Sequence, residues 1–139
     1  MPTLLIEALE GKCADIFAAA GLEDEEAARI AHSLVLANVL GHDSHGVVRV
    51  VKYEQAVKEE RAYPGRKIKI IKEADASAVV DGAWGFGQTI CHQAMDLAIE
   101  KTEESNVCCV AFRNMNHIGR LGEYAEAAAR AGCVALITH

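Results

Sequence analysis

His45, Arg49 and Tyr53 recur every four residues directly after the loop GHDSHG at positions 41–46. In an α-helix this spacing turns Arg49 about 40° and Tyr53 about 80° from His45, with Lys52 about 20° to the other side. An imidazole, a guanidinium and a phenol would then share one face, with valines 47, 48, 50 and 51 covering the rest. A guanidinium grips a carboxylate through two parallel hydrogen bonds, and an imidazole one turn away exchanges a proton near neutral pH. That pairing suits the chemistry of 2-oxo and 2-hydroxy acids. The same spacing also describes the solvated side of an ordinary amphipathic helix, so both readings stay open at this point.

A second histidine of interest, His117, follows the apolar run 107–112 and is flanked by Asn114, Asn116, Gly119 and Arg120. Loops at strand ends are where open sheets carry sites, although a turn histidine bonded to backbone fits the same residues. His42, Asp43 and His45 form part of a metal-binding pattern, but neither HExxH nor a cysteine cluster supplies a further ligand, and no metal is expected. Asp43, Ser44 and His45 are consecutive, which forbids the geometry of a hydrolase triad. Glycines 82, 85 and 87 in VVDGAWGFGQ allow backbone to approach backbone or ligand. They do not match the dinucleotide fingerprint, and close packing is the expectation.

Those groups need a scaffold, and 139 residues suffice for one core of ordinary size. With 51% hydrophobic and 24% charged residues, the chain belongs among globular proteins. A net charge of −6 argues against nucleic acid as a partner. The first 17 residues lack the basic start of a secretory signal, no apolar run is long enough to cross a bilayer, and five cysteines without CxxC suit buried thiols in a reducing, cytoplasmic setting.

Periodicity places the first helix from a Thr3 cap to about Ala20, and a second from the acidic run 23–26 to about Leu40, with His32 on its surface. A third helix, capped by Asp43 or Ser44, is expected to reach about Arg61. After Tyr63-Pro64-Gly65 the period shifts to two, predicting a hairpin around 68–80, a helix over 88–104 and a strand over 107–112 covered on both faces. A further helix from Gly122 or Glu123 to Gly132 precedes a last strand that begins at Cys133. The expected fold is α/β, with a helical segment at 1–62 and the first part of a mixed sheet domain at 63–139. An apolar strand at the end without neighbours leads us to expect a missing continuation.

The segments LANVLGHDSHGVVRVVKYEQ, VVDGAWGFGQ and MNHIGRLGEYAEAAARAG, in this order, resemble the type 2 malate/L-lactate dehydrogenase family of NAD(P)-dependent oxidoreductases. The resemblance covers practically the whole chain but corresponds only to the N-terminal part of such enzymes, whose sheet domain is of their own type and not a Rossmann fold. It implies that Ser44 and Arg49 hold a substrate carboxylate, that Tyr53 lines the same pocket, and that His45 or His117 is the catalytic acid/base. For the cofactor, NAD or NADP, it carries over only Gly119. It further implies hydride transfer at C2 of a small 2-hydroxy or 2-oxo acid, in a homo-oligomer, the simplest being a homodimer. Two other readings are a non-catalytic, truncated fragment that self-associates without cofactor, and a helical interaction module.

Overall fold

Apolar side chains at helical spacing give the first unit, which ends at Gly65, its core; the computed structural model describes residues 3–139. Helix α1 (Ile6–Ala19) buries Cys13 and Phe17, and α2 (Asp24–Val39) buries Ile30, Ala31, Leu34 and Val35. Helix α3 (Val50–Lys58) adds Val50, Tyr53 and Ala56, and its Tyr53 ring lies 6.3 Å from that of Phe17. Fully burying side chains such as Phe17, Ile30 and Leu34 stabilises by about 1.5–3 kcal/mol each. Asp24, Glu25 and Glu26 occupy the first turn of α2, where the helix dipole favours negative charge. The buried Glu26 also accepts the Gly65 N–H at 2.7 Å.

The second unit runs from Arg66 to His139. Strands β1 (Lys69–Ala74) and β2 (Ser77–Asp81) form the expected hairpin, and β3 (Cys109–Arg113) lies parallel to β2 in the order β1-β2-β3. Parallel neighbours require a crossover, and α4 (Gly87–Ser105) supplies it. Asn106 ends α4 in a left-handed conformation. Ala94 of α4 packs with Ala78 and Val80 of β2. Within α5 (Gly122–Arg130), Tyr124 clusters with Cys91 and Ile118, and its hydroxyl donates to the Ile118 carbonyl.

Several expectations are corrected. Helix α1 begins after Leu5 without a side-chain cap, so Thr3 stands too far upstream to serve its first turn. His32 does lie on the surface of α2, and it also has a partner there, its Nδ1 lying 2.9 Å from Glu10 Oε1. The expected third helix is divided: two 3₁₀ turns, Asp43–His45 and Val47–Arg49, precede α3. Strand β1 is exposed throughout, and an irregularity between Ile70 and Lys72 interrupts its register with β2. Strand β3 is an edge and not a strand covered on both faces. Residues 133–139 belong to no helix or strand and join no sheet. The cysteines are all free, but only Cys13 and Cys91 are buried. No helix among the described residues is long and apolar enough to cross a membrane.

Burial, reinforced by the Glu123 carboxylate, pushes the Cys91 thiol up to about 12, whereas Cys109 is exposed. Iodoacetamide at neutral pH should therefore label Cys109 in the folded protein and reach Cys91 only after denaturation. Peptide mass spectrometry reads the outcome, and rapid native labelling of Cys91 would contradict this packing.

Candidate functional site

Helix α2 stops at Val39, and Gly41, at φ +79°, turns the chain into the GHDSHG loop. The loop is held from one side chain. Asn38 Nδ2 donates to Asp43 Oδ1 at 2.6 Å, while its Oδ1 accepts the Val47 N–H at 2.8 Å. Backbone bonds from His42 N to Ala37 O and from Gly41 N to Asn38 O close the same corner. Gly46 lies between the two 3₁₀ turns, buried against Asn38, and a Cβ at this position would overlap the Asn38 amide.

This corner brings Ser44, His45 and Arg49 together. Ser44 Oγ lies 3.0 Å from His45 Nδ1, and Arg49 Nε donates to the Ser44 carbonyl at 2.7 Å. With Nε so pinned, the terminal Nη1 and Nη2 of half-buried Arg49 make no hydrogen bond or ion pair among the described residues. Two parallel donors on a fixed guanidinium match the two oxygens of a carboxylate. Tyr53 is placed differently, with its ring buried against Phe17. The division of the helix accounts for this: the rotation from Arg49 to Tyr53 follows α-helical geometry only from Val50 onward.

In the second unit, the glycine-rich turn and the His117 loop are bonded to each other. Asp81 accepts the Ala83 N–H at 2.8 Å and the Asn114 amide at 2.8 Å, with Arg113 Nε at 3.3 Å. The Ala83 N–H, followed by Asn114, holds the Asp81 carboxyl below its ordinary range. Asn116 donates to the carbonyls of Trp84 and Gly85 at 2.8 and 3.1 Å. A Cβ at Gly87 would overlap the carbonyls of Asn116 and His117, so this glycine serves close packing of backbone on backbone. His117 Nδ1 accepts the Gly119 N–H at 3.3 Å, which puts the proton of the neutral ring on Nε2. Gly119 is buried at φ +77°, a conformation that favours glycine.

Two organising residues escaped sequence reasoning, Asn38 and Asp81, and Asn114 was noted only as a neighbour of His117. Each is a short polar side chain beside a glycine-containing loop, a weak signal that becomes informative only once the loop's backbone donors are counted.

Comparison with known proteins bears on what this arrangement serves. The family described as Malate/L-lactate dehydrogenase matches residues 4–139. Hydroxycarboxylate dehydrogenase B from Escherichia coli O157:H7 is 40% identical over 121 residues, covering 87% of this chain and 34% of that protein. L-sulfolactate dehydrogenase from Methanocaldococcus jannaschii is 41% identical over 114 residues, covering 82% of this chain and 33% of that protein. The solved structure of malate dehydrogenase from Pyrococcus horikoshii OT3 superposes with a TM-score of 0.91 at 32% identity, over 94% of this chain and 38% of the other. The chain thus spans about a third of the length of the curated relatives it matches.

Replacing Gly46 by alanine forces the Asn38 amide away and breaks its bond to Val47. The expected cost is about 1–3 kcal/mol in chemical denaturation, from overpacking and a lost hydrogen bond. Unchanged stability would show that Asn38 and Gly46 are not in contact.

Proposed function

Since this chain belongs to the malate/L-lactate dehydrogenase family, we propose that it forms part of an oxidoreductase acting at C2 of a small 2-hydroxy or 2-oxo acid with NAD or NADP. The observation that carries this reading is the pinned Arg49 guanidinium with two terminal nitrogens available beside Ser44 and His45. Arg49, with the Ser44 hydroxyl, would hold the substrate carboxylate and thereby orient C2. The proton at the C2 oxygen would be exchanged by His45 or by His117; for the latter, an Nε2–H in the neutral ring provides a donor. Tyr53, buried against Phe17, would brace α3 and the turn before it from behind.

When bound, the nicotinamide supplies or accepts the hydride. On this chain the 117–119 loop suits it best, because Gly119 brings backbone close without a side chain. The fold that would hold the cofactor is the family's own mixed sheet domain and not a Rossmann domain. Relatives named as malate, L-lactate and L-sulfolactate dehydrogenases support a 2-hydroxy acid as the substrate class. Cytoplasmic location and assembly into a homodimer complete the proposal.

A second reading, in which these 139 residues associate without binding cofactor, is favoured by the full exposure of Val134 and Leu136. Titration calorimetry with NADH and NADPH beside light scattering separates the two: micromolar binding supports the dehydrogenase, and oligomers without binding heat support the other.

In the active enzyme that carries this chain, Arg49→Lys keeps the charge but loses the two-pronged grip. A charge-assisted hydrogen bond contributes about 1.5–3 kcal/mol, so kcat/KM for the hydroxy acid should fall about ten- to a hundredfold. Steady-state kinetics with malate, lactate and sulfolactate test this, and a variant as active as the parent would remove Arg49 from carboxylate binding.

A further inference from the structure

Ala83 and Trp84 are the central residues of a tight turn closed by the bond from the Gly85 N–H to Gly82 O at 2.8 Å. Their φ values are +49° and +57°, so the turn is of the mirror-image kind that glycine, asparagine and aspartate adopt most readily. An indole at its second central position is disfavoured by the backbone where asparagine would not be.

Packing does not account for that indole. Trp84 is 50% exposed, and among the described residues its ring meets no other aromatic ring and its Nε1–H donates no hydrogen bond. Its backbone, by contrast, is held on both sides. The Trp84 N–H donates to Asn114 O at 2.7 Å, and its carbonyl accepts Asn116 Nδ2 at 2.8 Å. Both partners belong to the loop that carries His117 and Gly119, and Gly87 lies against the carbonyls of Asn116 and His117. An unpacked indole is thus mounted on a fixed backbone beside the loop to which the proposed function assigns the nicotinamide.

A strained position that keeps a large flat side chain in solvent is explained if that side chain meets another flat ring. We propose that Trp84 is a cofactor-binding residue whose indole stacks on a planar heteroaromatic ring of NAD or NADP. This rests on the dehydrogenase reading and deepens it, by naming a residue that holds the cofactor. The other ligand of that reading, a small hydroxy acid, has no aromatic face to offer, whereas the dinucleotide has two, nicotinamide and adenine. Oxidised nicotinamide also carries a positive charge, which the electron-rich face of an indole attracts.

In the active enzyme that carries this chain, Trp84→Asn removes the indole and leaves a residue that suits the turn. From the strength of base–aromatic stacking, the cofactor Kd, measured by titration calorimetry without substrate, should rise about five- to a hundredfold, and the cofactor KM with it. The kcat and the KM for the hydroxy acid should move far less, since stacking holds the cofactor alike in ground and transition states. Trp84→Phe keeps a flat ring and should retain most of the affinity. Nicotinamide mononucleotide and AMP, used separately as competitive inhibitors, identify the stacked ring: the half that meets Trp84 binds more weakly to Trp84→Asn, and the other does not. In chemical denaturation the midpoint of Trp84→Asn should be no lower than the parent's, because the turn is relieved and no packing is lost. An unchanged cofactor Kd, two inhibitors equally unaffected, a Trp84→Phe as weak as Trp84→Asn, or a lowered midpoint would each overturn the proposal and leave the dehydrogenase reading in place. A parent enzyme that binds neither NAD nor NADP, oxidised or reduced, would overturn both.

Discussion

The candidate chemistry depends on one side-chain amide. Asn38 uses its donor on Asp43 and its acceptor on Val47, so a single group spans both ends of the turn that carries Ser44 and His45. Neither partner alone would define the loop, because a loop of this length has many conformations and each fixed residue costs about 1–2 kcal/mol of backbone entropy. The buried Gly46 is the steric counterpart, since only a residue without a side chain lets the amide sit where it does. Arg49 is then anchored through Nε to a carbonyl of the same loop, which fixes the direction of its remaining donors.

The second unit uses the same device with different residues. The Asp81 carboxylate and the Asn116 amide tie the glycine-rich turn to the loop that bears His117, and Gly87 permits the contact. Ala83 and Trp84 both have positive φ without being glycine, a strain of about 1–3 kcal/mol each that these bonds hold in place. In both units, short polar side chains acting on backbone set the loop, and the helices and strands behind them provide fixed points.

Much of this was legible in the sequence because its signals are local. The hairpin, α4 and α5 follow from changes of hydrophobic period, and the acidic run at 23–26 marks the start of α2. The family resemblance drew on GHDSHG and MNHIGRLGEY, and the residues it pointed to in the first of these, Ser44 and His45, do lie beside Arg49. The division of the third helix was not legible, because it arises from Asn38 reaching across nine residues to capture the Val47 N–H. Helical spacing alone could not reveal that Tyr53 turns into the core beside Phe17. The last apolar segment read as a strand from composition, yet pairing is a property of neighbours, and β3 does not reach it.

Asn38→Leu keeps the approximate shape of the side chain while removing both of its hydrogen bonds, and backbone amide NMR of this variant tests the central claim most directly. The Val47 amide should exchange about tenfold faster or more, and resonances across 43–49 should move, while the core of α2 around Ile30 and Leu34 keeps its protection. A Val47 amide as protected as in the parent, with the 43–49 resonances in place, would show that the loop is held by something other than Asn38.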